Sequence, residues 1–253
     1  MQPIVQADNL TVRYRDKTAV AGLHFALAPG EVLGIAGPNG SGKTTTLACL
    51  EGLQRPSGGT VRVFGGDPAV NRRQIYRYLG VQLQDTDYPP RIHVGELCAL
   101  FASFFDRPAD WRSMLTALGL APLMRRSVRS LSGGERQKLS VLLALMGRPQ
   151  LLILDELSTG LDPESRQAVR TFLRDAAAGG LAMILVTHYL NELEDLADRI
   201  LLLNNGRQRY LGTLLGFRCW AQAEAGGPAA FSLEDAYLSV AAPAPALPLE
   251  KLI

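Results

Sequence analysis

Eight consecutive residues near the N-terminus constrain the fold more than any other feature of the sequence. They read Gly-Pro-Asn-Gly-Ser-Gly-Lys-Thr over residues 37–44 and fit the pattern GxxxxGK[ST]. Residues 32–36 form a short apolar run typical of a buried strand, and residues 43–51 have the pattern of a helix closed by Gly52. A glycine-rich connection from a buried strand into a helix predicts a phosphate-binding loop and an α/β fold.

The residue types in this loop indicate its chemistry. Glycines let backbone N–H groups converge on phosphate oxygens, and the helix that follows adds its positive end. We expect Lys43 to reach the β and γ phosphates of a nucleotide and the Thr44 hydroxyl to coordinate Mg²⁺. The predicted nucleotide-binding residues here are Gly37, Pro38, Asn39, Gly40, Ser41, Gly42, Lys43, Thr44 and Thr45.

A second apolar run ends in two acids. Residues 151–154 read Leu-Leu-Ile-Leu and are followed by Asp155 and Glu156. We expect Asp155 to hold Mg²⁺ through water, and Glu156 to orient or deprotonate an attacking water. Many buried strands end in Asp or Glu, so this pattern is weak alone. Together with the loop, it predicts a site of nucleotide hydrolysis.

Hydrophobic periodicity divides the chain into three parts. The first third alternates apolar and polar residues as strands do. From about residue 85 to residue 147 the apolar residues fall at helical spacing, which predicts an inserted helical subdomain. The final third alternates strands with helices, and Asp162-Pro163-Glu164 has the pattern of a helix start. The predicted fold is a P-loop α/β core with an antiparallel β portion and a helical insertion.

A second glycine-rich helix start lies inside the helical part. Ser132, Gly133 and Gly134 precede a long helix, with Ser132 as its cap. Such a helix start is a second phosphate-binding surface. One chain has no obvious way to fold both surfaces around one triphosphate, whereas a dimer can close each over the nucleotide of the other. The alternative is an ordinary capped helix after a loop.

Composition excludes several classes of protein. The 253 residues contain 26 Lys and Arg against 24 Asp and Glu, and this balance argues against binding nucleic acid by bulk electrostatics. Three distant cysteines make neither a metal-ligand spacing nor a disulfide framework, which favours a reducing cytosol. We expect no signal peptide, and no uncharged apolar stretch reaches about 18 residues.

These motifs, in this order, resemble those of the ATP-binding subunits of ABC transporters over residues 4–213. The resemblance implies the ABC ATPase fold, a P-loop NTPase core with an antiparallel β subdomain and an inserted helical signature subdomain. It places the ATPase domain at residues 1–212 and leaves residues 213–253 as a short extension with a flexible Ala/Pro-rich tail. It also implies ATP and Mg²⁺ as cofactors.

The resemblance assigns further site residues. Tyr14 matches an aromatic that stacks on adenine, although a strand residue facing the core is the alternative. Gln84 resembles the glutamine that touches Mg²⁺ and the attacking water, with Gln82 as a competing candidate. His188 matches a histidine that contacts the γ-phosphate, so that the implied catalytic residues are Lys43, Gln84, Glu156 and His188.

Other matched residues bear on the dimer. Ser132, Gly133 and Gly134 match the signature motif, and Asp162 lies in the segment that crosses the dimer interface in this family. The implied Mg²⁺ ligands are Thr44, Gln84 and Asp155. The sequence departs from the family at Glu135, where Gln is usual, and at Leu157, where Pro is common. We expect the Glu135 side chain to point away from phosphate.

The resemblance also suggests a subgroup and partners. Residues 88–105, 187–200 and 231–240 are similar to ATPases of ABC-2 type exporters, which serve drug, antibiotic, polysaccharide or lipid export. It implies a separate membrane permease, a homodimer or heterodimer of ATPase subunits, no nucleic acid, and a peripheral position on the cytoplasmic face of the membrane. Phe101, Phe104 and Phe105 are expected first as core and second as a permease-docking groove.

The main rival is a non-transport ATPase of the same superfamily that acts on DNA or ribosomes. Such chains usually carry a long coiled-coil insertion or two ATPase domains in tandem. The sequence has one set of motifs in 253 residues and shows neither feature.

Overall fold

A computed structural model describes residues 2–82, 88–89, 91–156, 161–187, 190–225 and 232–241, without the side chains of 191, 192 and 241. Near the N-terminus, an antiparallel sheet contains β1 (Val5–Tyr14), β2 (Lys17–Leu27) and β4 (Gly58–Val63), in the order β2-β1-β4. The alternation predicted along β1 holds at Leu10 and Val12, which are buried, and ends at Tyr14, which is exposed although it was predicted on the same face.

A second sheet forms the centre of the molecule, with strand order β5-β6-β7-β3-β8-β9 among the described residues. Its strands are β3 (Val32–Ala36), β5 (Leu79–Val81), β6 (Leu151–Asp155), β7 (Ala182–Val186), β8 (Arg199–Asn204) and β9 (Arg207–Thr213). All pairings are parallel except that of β8 with β9, which the predicted Asn205-Gly206 turn connects. Strands β3 and β7 are buried throughout, as strands covered on both faces are.

Helices cover this sheet and build the insertion. They are α1 (Lys43–Leu50), α2 (Arg72–Ile75), α3 (Val94–Ala102), α4 (Trp111–Ala117), α5 (Gly133–Ala144), α6 (Pro163–Ala178), α7 (Asn191–Leu196), α8 (Leu214–Ala225) and α9 (Leu233–Ala241). Helices α3, α4 and α5 lie between β5 and β6 in the chain, where the sequence predicts the helical insertion. Leu97, Leu115 and Leu139 of these helices are buried in one hydrophobic cluster with the core of α6 and α7.

The structure differs from expectation at short elements and at one aromatic. Helix α2 and strand β5 were not predicted, because four and three residues are too few to show a period. Helix α8 was missed where Gly216 interrupts the pattern. Phe104 was expected in the core and is 67% exposed, because Phe101 and Phe105 pack against the main cluster and the Phe104 ring lies against Phe101.

Candidate nucleotide-binding site

The phosphate loop, residues 37–45, is held in a shape that only glycine permits at two positions. Gly37 has φ of +153°, and a Cβ there would lie 2.2 Å from the carbonyl oxygen of Leu203 at the end of β8. Gly42 has φ of +104°, and its Cβ would lie 2.7 Å from the carbonyl oxygen of Ala19. The backbone of β2 and β8 therefore lies against one side of the loop, and the opposite side is open.

Lys43 crosses the loop from the first residue of α1. Its Nζ donates to the carbonyl oxygens of Gly37 at 2.7 Å and Pro38 at 3.1 Å. Burial lowers the pKa of this ammonium group, while the carboxylates of Asp155 and Glu156 act in the opposite direction. A positive charge is thus placed within the loop before any ligand arrives.

A cavity of about 350 Å³ opens in front of the loop. This volume is within the range of small-ligand sites. The walls come from the loop, from the rim of the antiparallel sheet and from the end of β6. The lining residues are Tyr14, Lys17, Ala19, Asn39, Gly40, Gly42, Lys43, Thr44, Thr45, Asp155 and Glu156. Lys17 and Ala19 were not predicted, because they reach the cavity only through the β1–β2 hairpin.

The two acids predicted at the end of β6 both face this cavity. Burial, and then the charge of Glu156, raise the pKa of Asp155, which Lys43 partly offsets. Glu156 has φ of +54°, a conformation that costs a non-glycine residue of order 1 kcal/mol or more. Its N–H donates to the Val186 carbonyl at 2.8 Å, and its carbonyl accepts from Gln137 Nε2 at 3.3 Å. Contacts from β7 and α5 therefore fix this strained turn.

Tyr14 lies at the rim of the cavity. It is 46% exposed, so it does not face the core. Its phenol donates to Oε1 of Gln54 at 3.3 Å, and Gln54 follows the end of α1. The ring is thereby held beside the mouth of the cavity, where an aromatic could stack on a base.

The signature segment, residues 132–134, starts α5 and does not appear among the cavity-lining residues that the structure describes. Ser132 Oγ accepts from the Glu135 N–H at 3.2 Å, and Glu135 Oε2 accepts from the Ser132 N–H at 2.7 Å. This capping box turns the Glu135 carboxylate back onto its own helix start. Within one chain, the two glycine-rich helix starts are therefore not brought together.

Of the remaining predicted residues, Asp162 and Gln82 lie within the described part of the chain. Asp162 caps α6, with Oδ1 accepting from the Ser165 N–H at 2.9 Å, and hydrogen bonds from Ser165 lower the pKa of its carboxyl. Gln82 is buried beside β6, and its Oε1 has no hydrogen-bond partner among the described residues. Gln84, Leu157 and His188 lie outside the described residues.

The residues that face the cavity fit a magnesium nucleotide by their chemistry. Thr44 and Asp155 supply a hydroxyl and a carboxylate oxygen, the ligand type that Mg²⁺ prefers. A Cβ on Gly40 would meet nothing within 4 Å, so the loop has open space on its cavity side. The Ser41 hydroxyl, buried in the same loop, has no hydrogen-bond partner among the described residues.

The chain is similar both to a protein family and to individual known proteins. The family described as "ABC transporter" matches residues 20–159, and an AAA domain matches residues 125–194. "Nod factor export ATP-binding protein I" of Ralstonia nicotianae is 36% identical over 211 residues, which cover 81% of this chain and 66% of that protein. The protein of the same name from Paraburkholderia xenovorans is 38% identical over 210 residues, covering 81% of this chain and 69% of that protein.

The chain thus spans about two thirds of the length of these curated relatives. Among solved structures, an ATP binding subunit of an ABC transporter superimposes with a TM-score of 0.82 at 24% identity, covering 93% of this chain and 98% of that chain. A bacterial Atm1-family ABC exporter with ATP bound superimposes with a TM-score of 0.77 at 26% identity, covering 88% of this chain and 42% of that chain.

None of the helices in the described ranges has the length and apolar character needed to cross a membrane. The matches extend over the phosphate loop and the signature segment, and continue past the paired acids. Together they show that this chain belongs to the ATP-binding subunits of the ABC transporter family.

Proposed function

We propose that this chain binds ATP with Mg²⁺, hydrolyses it together with a second ATPase chain, and powers a separate export permease. One observation carries the catalytic part of the proposal. A single cavity brings the phosphate loop with Lys43 and Thr44 face to face with Asp155 and Glu156. These are the groups that phosphoryl transfer to water requires.

Each group has a role that its surroundings favour. Loop amides and Lys43 stabilise the negative charge on the β and γ phosphates. The Lys43 Nζ, which donates to the carbonyls of Gly37 and Pro38, can donate to charged phosphate oxygens in their place. Thr44 and Asp155 would hold Mg²⁺, which neutralises phosphate charge when bound. Glu156, fixed by its backbone contacts, accepts a hydrogen bond from the attacking water.

Three further residues complete the proposed site, of which Gln84 and His188 lie outside the described ranges. Gln84 would share the Mg²⁺ and the attacking water, and His188 would contact the γ-phosphate. Tyr14 would stack on adenine from the rim of the cavity. These three roles come from the family resemblance, and the exposed position of Tyr14 supports the last of them.

The exposed signature segment supports a dimer. Ser132 and Gly133 are exposed at the start of a twelve-residue helix, and neither contributes to the cavity of its own chain. We propose that they cover the nucleotide of a second copy, with Asp162 near the interface. Each site would then contain the phosphate loop of one chain and the signature segment of the other.

The relatives support export as the direction of transport, because they are named "Nod factor export ATP-binding protein I". The permease would be another chain, which places this one at the cytoplasmic face of a membrane through that partner. A non-transport ATPase acting on DNA or ribosomes is less supported, because the chain is nearly neutral and carries one set of motifs.

Hydrolysis is tested by measuring phosphate release from ATP with and without Mg²⁺. Release should require Mg²⁺, should be lost in Lys43→Ala, and should persist in Arg73→Ala, which removes an exposed cation outside the cavity. Turnover by Lys43→Ala equal to wild type would contradict the proposed site.

Transport is tested by purifying the tagged chain from detergent-solubilised membranes and identifying what accompanies it. A chain with several hydrophobic spans in stoichiometric amount is expected. Ribosomal or DNA-bound partners in its place would overturn the transport proposal and leave the ATPase chemistry standing.

A further inference from the structure

Three consecutive residues of the short helix α7 contact three different parts of the molecule. Leu193 packs against β3, Glu194 binds the C-terminal helix pair α8 and α9, and Asp195 pairs with α6. Successive helix residues point about 100° apart, so one turn can reach three neighbours. Helix α7 therefore connects β3, α6 and the C-terminal helix pair.

The contact with the C-terminal helix pair depends on one oxygen atom. Glu194 Oε1 accepts from Arg218 Nη2 of α8 at 2.6 Å and from the Leu233 N–H, the first amide of α9, at 2.9 Å. A carboxylate at this position satisfies an amide that the helix itself leaves unpaired. Ser232 and Asp235 form the remaining bonds of that helix start. Glu194 therefore binds both helices of the pair at once.

Apolar packing reinforces the same contact. Phe217 and Ala221 of α8, with Leu233 and Ala236 of α9, are fully buried. They belong to the hydrophobic cluster that also contains Leu193. The C-terminal helix pair is therefore packed into the core of the ATPase and is not a loosely attached addition.

The other two contacts of α7 lead towards the nucleotide site. Gly34 of β3 has no room for a side chain, since a Cβ would lie 2.7 Å from the Leu193 methyl carbons, and β3 runs directly into the phosphate loop. Asp195 pairs with Arg170 and, at 3.9 Å, with Arg174 of α6, the helix that Asp162 caps. Helix α7 also begins three residues after His188 in the sequence.

We propose that the C-terminal helix pair regulates ATP hydrolysis from within the chain, and that Glu194 is the positioning residue through which it acts. Docked on Glu194, the pair holds α7 in the position that β3 and α6 require. Released from Glu194, it leaves α7 free to shift, and hydrolysis slows while nucleotide binding at the cavity is retained. This inference rests on the proposed ATPase function.

The test compares Glu194→Ala with two further variants. Glu194→Ala should lower kcat by about fivefold, a loss typical of coupling carried between packed elements. Its Kd for ATP should stay within about twofold of wild type, because Glu194 lies outside the cavity. Glu194→Gln keeps an oxygen that accepts both hydrogen bonds and should recover most of the rate. Arg209→Ala removes the exposed ion pair between Arg209 of β9 and Glu224 of α8 and should leave kcat unchanged.

A second measurement separates this inference from the proposed function. Hydrogen exchange of the amides of residues 190–196 and of Leu233 needs no turnover, and it should be faster in Glu194→Ala than in wild type. Unchanged exchange, unchanged kcat, or an equal loss of kcat in Arg209→Ala would overturn the inference. Absence of hydrolysis by the wild-type protein would overturn the proposed function, and hydrogen exchange would still decide whether Glu194 holds α7.

Discussion

The chain has two glycine-rich helix starts that differ in how their polar groups are used. At the phosphate loop, backbone from β2 and β8 fixes the glycines, Lys43 lies across the loop, and two acids face it. At the signature segment, Ser132 and Glu135 satisfy each other, and the segment is exposed. The first start is preorganised for a ligand held within one chain. The second has its polar groups satisfied by its own capping box and is exposed, which is the position that the proposed dimer requires.

The largest expected effect comes from removing the charge of Glu156. Glu156→Gln keeps the size of the side chain and its backbone contacts, but the amide is a poor acceptor for a water proton. Turnover should fall by about a hundredfold or more, while ATP still binds. Phosphate release, nucleotide affinity and mass in solution measure this directly, and an ATP-dependent doubling of mass is expected. Turnover close to wild type would remove Glu156 from the mechanism.

The next effect, on stability, comes from steric crowding between the phosphate loop and the backbone of β8. Gly37→Ala places a Cβ 2.2 Å from the Leu203 carbonyl oxygen and should destabilise the protein by about 2 kcal/mol or more. Gly40→Ala is the matched control, because its Cβ meets no atom within 4 Å and only its φ of +76° is unfavourable, at about 1 kcal/mol. Urea denaturation compares the two. Equal losses of stability would mean that the Leu203 carbonyl does not crowd Gly37 as the structure describes.

The signature segment should respond differently. Ser132→Ala removes one bond of the capping box and should cost about 1 kcal/mol of stability. The affinity of a single chain for ATP should not change, because Ser132 does not line the cavity. Glu135→Gln keeps the acceptor for the Ser132 N–H and should be nearly neutral. Calorimetric titration with ATP at low protein concentration checks this, and weakened binding by Ser132→Ala would contradict the separation of the two helix starts.

The last effect concerns a half-buried acid at the far end of α1. Burial, and then the charge of Asp155, raise the pKa of Glu51 to about 7, with Arg72 acting in the opposite direction. A folded pKa above the unfolded value means that stability falls as the pH rises from about 4.5 to 7. Glu51→Gln should therefore raise Tm relative to wild type at pH 8, and the difference should shrink as the pH falls and vanish below about 4.5. A Tm difference that does not vary with pH would show that Glu51 titrates normally.

Contiguous patterns allowed most of the fold and most of the residues that line the cavity to be predicted. Strand β3 has the predicted bounds, and the predicted cap of α6 at Asp162 is present, because apolar runs and caps are local features. Lys17, which lines the cavity, and Gln54, which bonds to Tyr14, were missed because tertiary folding alone brings them to these positions. Glu194 was missed for the same reason, because its partners are 24 and 39 residues away in the chain.

The most direct test of a site shared between two chains mixes two variants that are each expected to be inactive, Lys43→Ala and Ser132→Arg. If each site combines the phosphate loop of one chain with the signature segment of another, mixed dimers contain one intact site. A 1:1 mixture should then recover about a quarter of the wild-type ATPase rate, since half of the dimers are mixed and each has one of two sites intact. A mixture of folded chains as inactive as its components, with Ser132→Arg still binding ATP, would contradict the shared site.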